Sequence, residues 1–202
     1  KKRCGYDEEY LSTRFPLTYA YLVQFRVVLV KRAAYKKYFC KQVKDKGRIT
    51  GYDPIAPFYS QYDISESTFS RYRVTWKQMA SALSTVVLSS IRTDFGVKPM
   101  VSTHTTAFFA VHNRDEAHYL CAILNSDIVD NFIRSFSAAG RGFGTPSVMN
   151  NLAIPCFDDR NEIHDRLAEL SEKAHNLVKK GKDVGDIQKE INSVVRKLWN
   201  IQ

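Results

Sequence analysis

Apolar residues recur every three or four positions between Asn113 and Phe136, which predicts an amphipathic helix with one buried face. Asn113 is a suitable N-cap, and Glu116 follows it by three residues, as in a capping box. Because Asn125 and Ser126 lie on a face that is otherwise apolar, we interpret both as structural. The apolar positions are Ala117, Leu120, Cys121, Leu124, Ile128, Phe132 and Phe136.

The helical pattern stops at a glycine-rich stretch, residues 140 to 147, and the apolar residues 152 to 155 then predict a short strand. Three glycines of this loop surround Arg141 and Phe143, so that backbone amides, a cation and a ring can approach a polyanion. A loop held between a helix and a strand suits ligand binding. The alternative interpretation is a flexible turn between two core elements.

Two further regions show helical periodicity. Residues 15 to 39 predict one long helix, with Pro16 in its first turn and a positive ridge that includes Lys36 and Lys37 near its end. Residues 158 to 202 predict an antiparallel pair of helices, capped at the start by Asp158 or Asp159 and divided at Gly181.

Several segments in the middle of the chain predict strands. Residues 71 to 76 predict a strand with Arg71 and Arg73 on one face, and residues 85 to 89 predict a buried strand. The other expected segments are an exposed loop over 41 to 51, an extended aromatic run over 57 to 62, a helical turn over 79 to 83, and strands over 99 to 104 and 106 to 111.

Strands and helices without a regular β-α-β alternation predict the α+β class. We expect a mixed or antiparallel sheet with packed helices, followed by a C-terminal antiparallel helical hairpin. Residues 1–157 would form an α+β domain with a basic N-terminal helical region. Residues 158–202 would form the hairpin, as a spacer or a docking arm for a partner domain.

The charge is unevenly distributed along the chain. Hydrophobic residues make up 44% and charged residues 25%, which is ordinary for a globular protein. Of the net charge of +9, residues 1 to 50 supply the whole excess, with 13 Lys or Arg against 4 Asp or Glu. Such a segment attracts phosphates or anionic surfaces regardless of their sequence. The alternative is a solvated basic surface.

No apolar run in the sequence reaches the roughly 20 residues that a membrane span needs, and we expect no membrane partner. The four cysteines form no Cys-x-x-Cys pair, and no histidine stands at zinc-ligand spacing from one of them, so no metal site is expected. The first residues lack a secretion signal, which favours the cytoplasm. The start without Met indicates a fragment of a longer polypeptide.

Catalytic motifs are absent from the sequence. The glycine run at 140 to 144 follows a helix and precedes a strand, the reverse of a dinucleotide-binding fingerprint. The sequence has no phosphate-binding P-loop and no Gly-x-Ser-x-Gly elbow. Residues 151 to 155 do not match the Asn/Asp-Pro-Pro-aromatic motif of amino-methyltransferases. We therefore expect this chain to be non-catalytic and to hold no cofactor of its own.

The order of several segments resembles the C-terminal target-recognition region of type IIG restriction–modification N6-adenine DNA methyltransferases, the TaqI-like specificity domain. The most specific part is the helix ending at Leu124-Asn125-Ser126 with the Gly-Thr-Pro loop after it. The last helix ends in Leu198-Trp199, where the family usually has Leu-Tyr. The other segments that carry the resemblance are residues 15 to 22, 32 to 39, 57 to 60, 72 to 77, 154 to 155 and 191 to 199.

This resemblance implies a module that recognises double-stranded DNA beside a methyltransferase catalytic domain in the same parent chain. The parent would be an adenine-N6 methyltransferase that uses S-adenosylmethionine, with or without a fused endonuclease. The expected DNA-binding residues are Lys36, Lys37, Tyr59, Arg71, Arg73, Lys77, Thr103, His104, Arg141, Phe143, Thr145 and Ser147.

Each of these assignments has a structural alternative. Tyr72 and Trp76, beside the arginines, are equally well interpreted as core aromatics, and Arg71 and Arg73 as partners of acidic residues. Residues 103 to 105 either read bases or form a turn between strands. Two other functions also fit the sequence: a protein–protein adaptor that uses the C-terminal hairpin, and a module that binds single-stranded RNA through its tyrosines.

Overall fold

The computed structural model describes residues 2–103, 105–136 and 144–201. The fold is α+β, with antiparallel strand pairings and a C-terminal helix pair, as the sequence predicted. The chain divides into two compact units, Lys1–Glu66 and Ser67–Gln202, and each has its own apolar core. We call them unit 1 and unit 2.

Unit 1 consists of short elements. Strand β1 pairs with β4, and β2 pairs with β3, both antiparallel. A small core, in which aromatic rings predominate, forms around Tyr35, Phe39 and Phe58. In chain order the elements are β1 (Lys2–Arg3), α1 (Glu8–Arg14), α2 (Pro16–Val23), α3 (Arg26–Leu29), α4 (Ala33–Tyr38), β2 (Cys40–Asp45), β3 (Arg48–Pro54) and β4 (Gln61–Tyr62).

The long helix expected over residues 15 to 39 is wrong, because three helices replace it. Before α4 the backbone of Arg32 is extended, with ψ of 134°. Its guanidinium donates hydrogen bonds to the carbonyls of Phe58 at 2.8 Å and Ser60 at 3.0 Å. These bonds anchor Arg32 to a distant segment, and helical periodicity cannot encode that constraint.

Residues 41 to 51, which we expected to form an exposed loop, are exposed but form strands. They make up most of the β2–β3 hairpin, whose strands are solvent-accessible on both faces. Lys46 and Gly47 form its turn with φ of 46° and 81°, the left-handed conformation that two-residue hairpin turns favour. Because polar residues occupy both faces, the strands show no alternation that the sequence could reveal.

Unit 2 is built on an antiparallel sheet in the order β6-β5-β9. Strands β7 and β8 pair with each other as a separate hairpin. A 3-10 helix, Glu66–Phe69, precedes the sheet. The elements are β5 (Tyr72–Lys77), β6 (Thr85–Leu88), β7 (Ser90–Thr93), β8 (Gly96–Pro99), β9 (Thr106–Val111), α5 (Arg114–Leu124), α6 (Asp127–Phe136), α7 (Pro146–Met149), α8 (Glu162–Val178) and α9 (Gly185–Leu198).

The central strand β5 has two different faces. Val74 and Trp76 belong to the main apolar core, as the core interpretation of Trp76 predicted. Arg73 and Thr75 point the opposite way and are covered by residues 100 to 102. Arg73 donates to the carbonyl of Met100, and the Thr75 hydroxyl lies 3.4 Å from that of Ser102. The segment after β8 thus crosses this face of the sheet toward the start of β9.

The helix predicted from Asn113 onward is two helices, α5 and α6. The N-cap is confirmed, because Asn113 Oδ1 accepts from the amides of Asp115 and Glu116. The break falls at Asn125, whose side chain accepts from the Thr85 amide at 2.8 Å and donates to the Thr85 carbonyl at 3.0 Å. Asn125 therefore caps the edge of β6 and is structural, as expected.

The C-terminal helices belong to the core of unit 2. Leu167 on α8 and Ile191 and Val195 on α9 are buried in the same cluster as α5. The compact units consequently divide near residue 66, and the boundary expected between residues 157 and 158 does not separate them. Helix α8 begins after Asn161, not after Asp158 or Asp159.

Three smaller expectations are wrong. Residues 79 to 83 contain bends and an isolated bridge at Ala80 and no helical turn. The residues after Pro99 leave the strand and cross β5. Residues 152 to 155 are irregular. There the Pro155 carbonyl accepts a hydrogen bond from the buried Tyr119 hydroxyl at 3.0 Å, which replaces the pairing that a strand would give.

Candidate nucleic-acid interface

The end of strand β5 is fixed to the segment that begins at Gly144. The indole nitrogen of Trp76 donates to the Gly144 carbonyl at 2.7 Å, and the Gly144 amide donates to the Gln78 carbonyl at 3.3 Å. A Cβ on Gly144 would lie 2.7 Å from Trp76 Cδ1 and 2.9 Å from the Lys77 carbonyl oxygen. Only glycine allows this close approach.

The start of β9 is tied to the same end of β5. The Gln78 amide donates to the Thr105 carbonyl at 3.1 Å, and its side chain donates to the Thr106 carbonyl at 3.2 Å. The Thr106 hydroxyl donates to the Thr103 carbonyl at 2.7 Å, which closes a turn. The hydroxyls of Thr103 and Thr105 lie 3.1 Å apart on its exposed side.

These bonds bring four predicted DNA-binding residues, Lys77, Thr103, Thr145 and Ser147, to one end of the sheet. The hydroxyls of Thr145 and Ser147 lie 3.0 Å apart at the start of α7. Hydroxyl and side-chain amide groups both donate and accept hydrogen bonds, and a lysine ammonium group donates hydrogen bonds to phosphate oxygens. We call the following group the sheet-end cluster: Lys77, Gln78, Thr103, Thr105, Thr145 and Ser147.

A groove of about 610 Å³ lies beside the cluster. Lys77 and Thr106 line one part of it, and Ser81 and Ser84 line another. Apolar side chains, among them Met79, Val86 and Leu88, form most of the lining, and among the described lining residues there is no Asp or Glu. The groove therefore combines an apolar wall with hydroxyls and one cation at its edge.

The assignment of Arg73 to DNA binding is wrong, because its side chain is fully buried. The guanidinium donates to the carbonyls of Thr68 at 2.8 Å and Ser70 at 2.9 Å and to that of Met100. Burial lowers the pKa of Arg73. Arg71, by contrast, is exposed, and its guanidinium carbon lies 5.5 Å from the ring centroid of Tyr72.

The assignment of Tyr59 is also wrong. Its ring is buried in the core of unit 1, and its hydroxyl donates to the Tyr6 carbonyl. Lys36 is half-buried and Lys37 is exposed. Their ammonium nitrogens lie 5.4 Å and 5.1 Å from the ring centroids of Tyr52 and Tyr38, respectively.

Among the cations of unit 1, two groups differ in their surroundings. Arg26 pairs with Glu8, and that hydrogen bond raises the pKa of Arg26. Arg32 is bonded to carbonyls, and burial lowers its pKa. The second group is solvent-accessible and surrounds the β2–β3 hairpin: Lys36, Lys37, Lys41, Lys44, Lys46 and Arg48.

Three predicted DNA-binding residues, His104, Arg141 and Phe143, lie outside the described residues. One cluster member, Gln78, was missed by the sequence analysis. Gln78 directly follows Lys77, which was among the expected DNA-binding residues, and this was the available signal. Thr105 lies in the segment 103 to 105, which was expected either to read bases or to form a turn, and the bond of the Thr106 hydroxyl to the Thr103 carbonyl shows the turn.

Comparison of the chain with protein-family models and with curated protein sequences found no match. Of the helices in the described part of the chain, none is long and apolar enough to cross a membrane. The four cysteines, Cys4, Cys40, Cys121 and Cys156, are free. Within the described ranges, no group of three or more His, Cys, Asp or Glu side chains is arranged to hold a metal ion.

Proposed function

We propose that this chain is a sequence-specific module for double-stranded DNA, part of a restriction–modification adenine-N6 methyltransferase. The observation that carries the proposal is the sheet-end cluster. Lys77 and the hydroxyls of Thr103 and Ser147 come from three separate segments and meet at one rigid edge. Base reading needs donors and acceptors held in fixed positions, and the bonds of Trp76 and Gln78 to these segments provide that rigidity.

The accessible cations of unit 1 support the same proposal. Lysines around the β2–β3 hairpin bind backbone phosphates without regard to sequence, while the sheet-end cluster carries the sequence preference. In the parent protein a catalytic domain would bind S-adenosylmethionine and act on a flipped adenine while this module holds the duplex. We place the protein in the cytoplasm, where the four free cysteines stay reduced.

The test is selection from a randomised duplex library, followed by titration of the enriched duplex by fluorescence anisotropy. The chain is expected to enrich one sequence and to bind it more tightly than a scrambled duplex. Ser147→Ala and Thr103→Val are expected to reduce the preference by about 1–3 kcal/mol, as the loss of a base contact does. Absence of any duplex binding at low salt would refute the proposal.

A matched set of lysine variants separates base reading from phosphate binding. Lys36→Ala is expected to weaken binding to every duplex and to lower the salt slope by about 1. Lys77→Ala is expected to weaken binding to the enriched duplex more than to the scrambled one. Lys189→Ala removes the same charge from an exposed position on α9 and serves as the control.

A second candidate, binding of single-stranded nucleic acid, is favoured by one observation. The rings of Tyr6, Tyr10 and Phe15 are exposed and lie within 6.5 Å of one another. Exposed rings beside cations can stack unpaired bases. Competition between duplex DNA, single-stranded RNA and heparin distinguishes the two, since preference for the single strand would support this candidate.

A further inference from the structure

The β7–β8 hairpin is an arm that projects from unit 2. All eight strand residues, Ser90–Thr93 and Gly96–Pro99, are exposed. Four residues of strand span about 13 Å, which exceeds the depth of either groove of B-DNA, roughly 8 Å. A two-stranded ribbon is also an element that a DNA groove admits.

The base of this arm is anchored. The Met100 amide donates to the Ser89 carbonyl at 3.1 Å, which extends the pairing of the two strands toward the sheet. The buried Arg73, on the face of β5 opposite the main core, donates a hydrogen bond to the Met100 carbonyl. Arg73 therefore connects the arm to the central strand.

The tip of the arm is ordered and carries an aromatic ring. The Thr93 hydroxyl donates to the Gly96 carbonyl at 2.8 Å and accepts from the Phe95 amide at 3.2 Å. Gly96 has φ of 93°, a conformation that glycine adopts without strain. Phe95 is thus held at the turn with 86% of its surface exposed.

The flanks of the arm combine apolar and cationic groups. The pairing of Ile91 with Lys98 and of Arg92 with Val97 places one cation and one aliphatic residue on each face. Asp94 at the turn is the one acidic residue in this ten-residue segment. Cations beside an exposed apolar tip match a groove, because phosphates line its edges and base pairs form its floor.

The arm and the sheet-end cluster border the same face of the sheet. Residues 100 to 103 leave β8, cross over Arg73 and Thr75, and arrive at Thr103 of the cluster. The two sites lie at opposite ends of β5, about 17 Å apart by strand length. That separation is about half of a DNA turn of roughly 34 Å, so one duplex can reach both.

We propose that the β7–β8 arm enters a DNA groove and that Phe95 wedges against a base step and unstacks it. This inference rests on the proposed function and adds a deformation of the DNA to it. An apolar wedge opens flexible pyrimidine–purine steps most readily. It would also ease extrusion of a base toward a catalytic domain.

The test uses duplexes that carry 2-aminopurine at a central TA or CA step, because this base fluoresces more strongly when it is unstacked. Saturating protein is expected to raise the fluorescence several-fold. Phe95→Ala is expected to abolish the rise and to weaken binding about fivefold or more, as the loss of a stacking contact does. Phe95→Leu retains an apolar wedge and is expected to keep part of the rise.

Phe69→Ala is the matched control, since Phe69 belongs to the same unit and is 54% exposed. It is expected to behave as the unaltered chain. Duplex binding measured by anisotropy without a fluorescence rise, or an equal rise with Phe95→Ala, would overturn the wedge and leave the proposed function standing. Failure to bind any duplex would refute both, and the anisotropy measurement identifies that outcome separately.

Discussion

Unit 1 and unit 2 differ in how charge and apolar surface are distributed. Unit 1 carries 13 Lys or Arg against 7 Asp or Glu, and three large apolar side chains of its helix α2, those of Leu17, Tyr21 and Val23, are exposed. Unit 2 carries 17 against 14 and buries an extensive, largely aliphatic core beneath its sheet. Electropositive surface and fixed geometry are therefore found in different parts of the chain.

The difference matters for the proposed function. Charge supplies affinity for nucleic acid without reading sequence, and this needs little rigidity. Reading bases requires side chains held in place by packing, which the Trp76–Gly144 bond and the core beneath β5 provide. We therefore expect changes in unit 1 to alter affinity and changes in unit 2 to alter stability and preference.

The largest effect is expected from the core of unit 2. Leu124→Ala removes a fully buried side chain from α5 and should lower the free energy of unfolding by about 2–5 kcal/mol. Leu17→Ala in unit 1 removes the same atoms from a residue that is 86% exposed, and the change should stay within about 0.5 kcal/mol. Urea unfolding followed by circular dichroism measures both, and equal costs would contradict the comparison.

Acid should destabilise unit 2 through His118. Burial and the neighbouring His175 lower the pKa of His118 to about 4, against 6.5 in the unfolded chain, while Glu172 opposes this shift and Arg114 and Lys179 add to it. The unfolded chain therefore takes up the proton first. The part of the stability that depends on His118 should be constant above pH 6.5, fall between pH 6.5 and 4 by roughly 3 kcal/mol, and level off below.

The check is urea unfolding at a series of pH values for the unaltered chain and for His118→Gln. The variant should lose most of this pH dependence, while the contribution of carboxylates stays in both. Residues 1–66 contain no histidine, so a probe of unit 1 should not report this transition. Identical pH profiles for the two proteins would rule out His118 as the cause.

Crowding at Gly144 should produce an intermediate effect. Gly144→Ala places a methyl group against Trp76 and the Lys77 carbonyl and should cost about 1–3 kcal/mol. Gly51→Ala in unit 1 is the control, because its new Cβ would lie 3.7 Å from Val43, an ordinary contact. Thermal unfolding compares the two. A neutral Gly144→Ala would show that this end of β5 is not rigid.

The smallest loss of stability is expected from alanine at two left-handed glycines, one in each unit, and it should be the same for both. Gly47 and Gly181 have φ of 81° and 66°, and an added Cβ would meet no atom within 4 Å at either position. Alanine at each should therefore cost only the left-handed backbone conformation, about 1–2 kcal/mol. Thermal unfolding of the two variants measures this cost, and a marked difference between them would mean that tertiary context contributes.

Much of the fold was predictable because its signals are local. Alternation identified β5, and β-branched, apolar composition identified β6; β9 was also predicted as a strand. Helical periodicity identified α5, α8 and α9, and the cap at Asn113 was correct to the residue. Charge counts located the basic segment. Of the sheet-end cluster, four members were predicted singly, but nothing in the sequence indicated that they meet.

The sequence by itself determined which faces of these elements are apolar, because strand and helix periods are properties of neighbouring residues. Only the tertiary structure decided what covers the remaining faces. The sequence pattern places Arg71 and Arg73 on the same face of a strand. In the structure, the segment at Met100, 27 residues further along the chain, covers Arg73, whereas Arg71 is exposed. Trp76 reaches Gly144 across 68 residues. Burial depends on such long-range packing, and local patterns carry no information about it.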